Sequence, residues 1–181
     1  MGDLVFESLQ ENFSGDKVSC CPKSQDLEIL VKKGSVLSSL KTLKEEKEYS
    51  FNHLADLTAY HDADKEKAIF VVYELISMLK KRRLRVLVKL DQESPQVESI
   101  ATLWSGANWL EREVFDMFGV HFEGHPDMRR ILLPDSFKGY PLKKDFAVDF
   151  RQKFKDGKEN NQPFDFNGPT VLDVPELGES T

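Results

Sequence analysis

Ala68-Ile69-Phe70-Val71-Val72-Tyr73 is the longest apolar run in the chain, and it sets the kind of structure that can form. It is far short of the roughly 20 residues that a membrane-spanning helix needs, and it has the length of a buried strand. The pattern predicts one strand over 68–78 and a second over 84–90. Lys80-Lys81-Arg82-Arg83 between them is a short polar link. A patch for anionic lipid or nucleic acid is the alternative for that basic run, and a solvated hairpin link is the simpler one. A net charge of −6 also weighs against nucleic acid as the main partner.

The rest of the chain reads as strands and helices around this pair. Residues 3–12 carry Leu4, Val5 and Leu9 at helical spacing. Strands are expected over 17–21 and 27–32, with a turn at Pro22-Lys23-Ser24. Gly34 ends the second strand, and Ser35 opens a helix that places Val36, Leu37, Leu40 and Leu43 on one face. The spacing leaves the state of 51–60 open, and His61-Asp62-Ala63-Asp64 is a turn. Ser94-Pro95 is expected to start a further helix with Val97, Ile100, Ala101 and Trp104. The expected fold is therefore α+β (α/β-like): a mixed sheet with helices packed mainly on one face, followed by an extended C-terminal tail.

A chain of 181 residues with 40% hydrophobic residues can bury one core. The expected division is a domain over 1–146 and a tail over 147–181. The stretch 162–181 has three prolines and only acidic charges, yet it keeps Phe164, Phe166, Val171, Leu172, Val174 and Leu177. A solvated tail rarely carries so many apolar residues. It is expected to dock on a partner subunit. The chain starts Met1-Gly2-Asp3 without a basic stretch leading into an apolar one, so the expected compartment is cytosolic, with membranes reached only through partners. Cys20 and Cys21 are adjacent and read as two small apolar residues rather than as a redox or metal pair. An all-cysteine iron–sulfur cluster takes four thiolates, and two cannot supply them.

The densest charge lies in Glu111-Arg112-Glu113-Val114-Phe115-Asp116-Met117-Phe118-Gly119-Val120 and in the following His125-Pro126-Asp127-Met128-Arg129-Arg130-Ile131-Leu132. Asn108 as N-cap with Glu111 three residues on predicts a capping box, the carboxylate reaching back to the cap amide. Leu110, Val114, Met117 and Phe118 form one apolar stripe. Gly119 fits the left-handed position just past a helix end. Arg112 and Asp116, four apart, are placed to pair along the helix. Pro126 fixes a turn that aims Arg129 and Arg130 at the carboxylates of Glu111, Glu113 and Asp116 or at those of a neighbour.

Three clustered carboxylates with a histidine admit acid–base catalysis or a metal site, and equally a capped helix whose charges organise an interface. The interface is preferred, because neither a nucleophile nor a pocket is visible beside them. His121, Glu123 and His125 lie beyond a glycine stop, so no helix stacks the imidazoles on one face as a zinc motif requires. Glycine-rich dinucleotide loops, phosphate loops and nucleophile elbows are absent from the sequence.

Glu111, Arg112, Glu113, Asp116, Met117, Phe118, His125, Arg129, Ile131 and Leu132 together resemble the signature of the 30 kDa (C-type) subunit family of respiratory NADH:quinone oxidoreductase, complex I. A second element of that family, Gly-x-Pro-Leu-Arg-Lys-Asp-Phe, is matched by Gly139-Tyr140-Pro141-Leu142-Lys143-Lys144-Asp145-Phe146, with lysine at 143 in place of arginine. Weaker similarity reaches back to about Phe51. The resemblance implies a structural and assembly subunit of the hydrophilic arm, peripheral on the cytoplasmic face of the bacterial inner membrane, or on the matrix side in mitochondria. Its implied neighbours are the quinone-site (49 kDa-type) subunit and the terminal-cluster subunit. FMN and the iron–sulfur clusters would sit on partner subunits, with no cofactor, metal or catalytic residue on this chain. Related hydrogenases and F420-dependent complexes carry similar subunits. A stand-alone hydrolase using Glu111, Glu113, Asp116 and His125 is the competing class.

Overall fold

The computed structural model describes Leu9, Lys17–Cys20 and residues 27–147. Five strands form one mixed sheet: β1 (Lys17–Cys20), β2 (Leu27–Val31), β3 (His53–Asp62), β4 (Ala68–Ser77) and β5 (Arg82–Asp91). Their order is β1-β2-β5-β4-β3, with β2 and β5 parallel and the other neighbours antiparallel. The register explains the core. Val31, Val88, Val71 and Ala59 lie side by side across four strands, as do Ile29, Val86, Tyr73 and Leu57. Successive residues of a strand point to opposite faces, so these rows make one continuous apolar face.

Helix α1 (Val36–Glu45) lays Val36, Leu40 and Leu43 into the core cluster on that face, and helix α2 (Ala107–Phe118) adds Ala107, Val114 and Phe118. Leu9, helical and fully buried, belongs to the same cluster. The opposite face keeps ions: Arg85 lies 2.6 Å from Glu74 and 3.8 Å from Glu28, beside Tyr60 stacked on Phe70. The expected fold class, a mixed sheet with helices on one face, is the one observed. No helix among the described residues is long and apolar enough to cross a membrane.

Two local expectations change, and one segment left open takes a definite form. The stretch after Ser94-Pro95 is not a helix. It forms a short strand, β6 (Gln96–Glu98), parallel to β7 (His121–Glu123), and then a turn. Val97, Ile100 and Trp104 mimic helical spacing because a strand and the turn after it bury their apolar residues against one cluster. The segment left open at 51–60 lies largely in β3. The strand also absorbs His61 and Asp62, so the turn falls at 63–66, where the Asp62 carboxylate accepts the Lys65 N–H at 3.0 Å. Cys21, the docking tail and the division expected at 146/147 lie outside or at the margin of the described residues.

Candidate functional site

The charged motif centres on α2, which crosses between β6 and β7. The helix begins at Ala107 with Gly106 as its cap, and no side chain caps it. Asn108 is therefore inside the first turn, and the expected capping box does not form. Glu111 turns instead toward the segment after β6. Its carboxylate accepts the Ser99 hydroxyl at 2.6 Å and the Ile100 N–H at 2.7 Å. Glu111 has no exposed surface, and burial pushes its carboxyl up to about 7 against those two hydrogen bonds. The buried imidazole of His125 lies 3.8 Å away.

Asp116 is the second fully buried carboxylate. One oxygen accepts the N–H groups of Ile131, Leu132 and Leu133 at 3.1, 2.8 and 2.9 Å, and the other accepts Arg130 at 2.6 Å. Burial drives its carboxyl up. The three amides and the guanidinium outweigh burial, so it stays below the usual carboxylate range.

Arg112 does not pair with Asp116 as the four-residue spacing suggested, because Asp116 is already saturated by the segment 130–133. Arg112 donates to the carbonyls of Arg129 and Arg130 at 3.0 and 3.3 Å, and it stacks 5.0 Å over the Trp109 ring. Of the two arginines after Pro126, Arg130 alone grips a helix carboxylate. It also donates to the Gly139 carbonyl at 3.1 Å and lies over Tyr140 at 5.3 Å. Arg129 points to solvent and makes a two-pronged bond to Asp127, both contacts at 2.6 Å. Glu113 is exposed.

Gly119 ends the helix at φ 77° and donates to Phe115 at 2.9 Å. A Cβ there would stand 2.6 Å from the Tyr140 ring, so both conformation and contact call for glycine. Phe118 is buried, and Leu110 and Met117 pack on the core. Pro126 and Asp145 are at the surface, while Pro141 is half-buried. Lys143 donates to the Gln92 carbonyl at 3.2 Å and lies 3.9 Å from Asp145, contacts that a point charge makes without the fork of an arginine.

The arrangement leaves little for a substrate. The oxygens of Glu111 and Asp116 hold internal donors, and both ring nitrogens of His125 are engaged, with the Asn108 carbonyl and the Asp127 N–H. The four groups of a carboxylate/histidine hydrolase thus do not converge on one site: Glu113 is in solvent, Asp116 serves the segment 130–133, and Glu111 and His125 meet out of reach of solvent. His121 and Glu123 are exposed, and no group of three metal-ligating side chains is assembled among the described residues. Ser99, His61, Gln92, Trp109 and Tyr140 complete the network, and the sequence motif marks none of them as part of it. Their contacts join positions up to 83 residues apart, which no local spacing signals.

The sequence profile of a family described as "Respiratory-chain NADH dehydrogenase, 30 Kd subunit" matches residues 29–152. The C-type subunit of NADH-quinone oxidoreductase from Moorella thermoacetica is 48% identical over 146 residues, covering 81% of this chain and 95% of that protein. Its counterpart from Citrifermentans bemidjiense is 37% identical over 140 residues, covering 77% and 86%. Among solved structures, a trypsin-resistant fragment of Nqo5 superposes with a TM-score of 0.59 at 29% identity, over 70% of this chain and 99% of the fragment. A chain of a membrane-bound sulfane sulfur reductase, an archaeal respiratory membrane complex, shares the fold with a TM-score of 0.70 at 23% identity, over 89% of this chain and 98% of its own length.

Proposed function

Because this chain belongs to the respiratory-chain NADH dehydrogenase 30 kDa subunit family, we propose that it is a structural and assembly subunit of the hydrophilic arm of a proton-translocating NADH:quinone oxidoreductase. It packs against the quinone-site (49 kDa-type) subunit, near the terminal-cluster subunit, and is peripheral on the cytoplasmic side of the membrane. Electron carriers, flavin and iron–sulfur clusters, sit on its partners. One observation carries the choice of assembly over catalysis. The buried carboxylates of the signature are spent on backbone N–H groups of this chain, while Trp109, Leu132 and Leu142 are left 63%, 60% and 53% exposed on the helix and the segment those carboxylates immobilise. Large apolar residues displayed on a rigid frame are what an interface uses.

The test is to isolate the tagged chain from detergent-solubilised membranes of its host. It should bring down a flavin- and iron–sulfur-containing complex that reduces quinone with NADH. A chain that purifies alone and hydrolyses ester or amide substrates would overturn the proposal. A complex that accepts electrons from hydrogen or reduced F420, and not from NADH, would assign the subunit to a related enzyme.

A further inference from the structure

The tip between β4 and β5 differs from a solvated link. The two strands pair residue for residue from Ala68 opposite Asp91 to Ser77 opposite Arg82, so Met78-Leu79-Lys80-Lys81 closes a long, regular hairpin. Two ties fix the turn. The Lys80 N–H donates to Ser77 Oγ at 3.2 Å, and the Met78 N–H donates to Asn52 Oδ1 at 3.4 Å. A turn in water ordinarily carries polar or small residues. This apex holds the two most exposed large apolar side chains of the described residues, Leu79 at 76% and Met78 at 65%. Cations surround them. Residues 75–90 contain Lys80, Lys81, Arg82, Arg83, Arg85 and Lys89 and no acidic residue, in a chain of net charge −6. Arg85 and Lys89 are paired on the sheet, with Glu74 at 2.6 Å and Glu66 at 2.5 Å. Lys80, Lys81 and Arg83 make no ion pair among the described residues. Arg83 shares a shallow groove of about 220 Å³ with Ile76, Asp56 and Glu74. Yet Glu74 is taken by Arg85, and Asp56 accepts the Leu57 N–H at 2.8 Å.

We propose that this tip is a plug that docks on another subunit, with Met78 and Leu79 entering an apolar cleft whose acidic rim meets Lys80, Lys81 and Arg83. The inference rests on the reading of the chain as an assembly subunit. It adds a contact surface on a different element from Trp109, Leu132 and Leu142. The chemistry names the occupant. Apolar side chains held out on an ordered turn lose little freedom when a partner buries them. Cations without internal partners favour carboxylates around that contact and set its register. An anionic bilayer is the competing surface for a basic, apolar tip. Three features favour a protein. The chain as a whole is acidic, so a bilayer of the same sign repels it. The apex is aliphatic and lacks the Trp or Tyr that anchors at lipid headgroups. Arg83 and Ile76, opposite each other in the ladder, carry the contact down the flank of the hairpin into the groove, a relief that a protein edge can fill. Methionine and arginine are also the residue types that protein interfaces favour.

Competition for assembly in the host tests this. Wild-type and variant full-length chains are co-expressed, the complex is purified by size from detergent-solubilised membranes, and mass spectrometry reads the ratio of the two chains in it. Met78→Ser with Leu79→Ser, and Lys80→Glu with Lys81→Glu, should each enter the complex about tenfold less than wild type, as expected when an interface anchor is lost. Both should melt like wild type as purified full-length chains, because the replaced side chains are exposed. Benzoylphenylalanine in place of Leu79 should crosslink, on irradiation of the complex, to one segment of one other subunit where acidic residues flank apolar ones. Equal incorporation of either variant, or crosslinks scattered over several subunits or to a segment without acidic residues, would overturn the proposal. So would binding of the full-length chain to phosphatidylglycerol vesicles that both variants abolish while entering the complex normally, which would assign the tip to a membrane. Should a double variant melt early, Leu79→Ser and Lys81→Glu alone are compared with wild type, and the crosslink decides with them. A wild-type chain that enters no complex would refute the assembly reading and this proposal with it. Normal wild-type assembly with unaffected variants would sink the tip alone.

Discussion

Replacing Asp116 with Asn changes one atom of a fully buried side chain and should be among the most damaging conservative substitutions in the domain. The carboxylate accepts four hydrogen bonds, from Arg130 on one oxygen and from Ile131, Leu132 and Leu133 on the other. An amide has one oxygen and one NH₂ group. Whichever way it turns, NH₂ faces donors: either the guanidinium or three backbone N–H groups. Hydrogen bonds to a charged partner are worth about 1.5–3 kcal/mol each, but four of them share one carboxylate and do not add. The better guide is the loss on stranding one partner of a buried ion pair, about 3–5 kcal/mol. That is a large part of the roughly 5–15 kcal/mol that holds a domain folded. For a chain of 181 residues it corresponds to a fall in Tm of about 6–20 °C. Urea unfolding of the full-length chain, followed by tryptophan fluorescence and by far-ultraviolet circular dichroism, should show a lower midpoint at unchanged slope. Arg130→Gln should lose less, about 1–3 kcal/mol, because Asp116 keeps its three amide donors. A loss under about 1 kcal/mol for Asp116→Asn would refute the assignment of Asp116 as the anchor of the segment 130–133.

Glu111 should make stability fall as pH rises. Its folded-state pKa is raised from an ordinary 4.5 to about 7, so the folded chain binds this proton more tightly than the unfolded one. Its contribution is therefore fully present below about 4.5 and lost as pH climbs through about 7, a span worth about 3 kcal/mol at 1.4 kcal/mol per pH unit. In Glu111→Gln that slope should vanish, and the variant should equal or exceed wild type above neutral pH; parallel stability–pH curves for the two proteins would contradict this. Gly119→Ala adds a Cβ 2.6 Å from the Tyr140 ring at φ 77° and should cost about 1–3 kcal/mol in a denaturant titration, whereas a neutral result would mean that Tyr140 swings clear freely. Tyr73 buries its hydroxyl with no hydrogen-bond partner among the described residues, so Tyr73→Phe should match or exceed wild type in thermal unfolding; a drop of more than about 1 kcal/mol would reveal a bonded hydroxyl.

The strands at 68–78 and 84–90 are legible in the sequence because apolar side chains fill both faces of one and alternate on the other, and the observed strands differ from them by one or two residues at their ends. The stripe of α2 and its glycine stop are legible for the same reason: 3.6-residue periodicity and left-handed glycine are local rules. What escapes is every feature decided by a distant partner. The capping box fails because Glu111 finds the Ile100 amide, eleven residues back, rather than the amide at its own helix end. The Arg112–Asp116 pair fails because Arg130 and three amides compete for the same oxygens. β6 reads as helix because three residues are too few to show a period of two, and the turn beyond it supplies apolar residues at helical intervals.

The charge density of the signature has a geometric cause. Glu111 and Asp116 are five residues apart on a helix that advances about 100° per residue, so their side chains leave the axis roughly 140° apart. One reaches the turn after β6 and the other reaches the segment 130–133. Both destinations are irregular backbone, where N–H groups lack the partners a helix or strand would provide, and a buried amide without a partner is costly. A carboxylate with two oxygens can satisfy several such donors at one point, as Asp116 does for three consecutive residues. The same logic explains the arginines: Arg112 and Arg130 take up carbonyls of Arg129, Arg130 and Gly139, which are the acceptors of the same irregular stretch. A motif that resembles catalytic machinery in sequence thus works as a scaffold for segments that cannot use periodic hydrogen bonding. An irregular segment held that firmly can present Leu132 and Leu142 in one conformation, so that any partner docking there would meet a surface already ordered and lose little conformational entropy on binding.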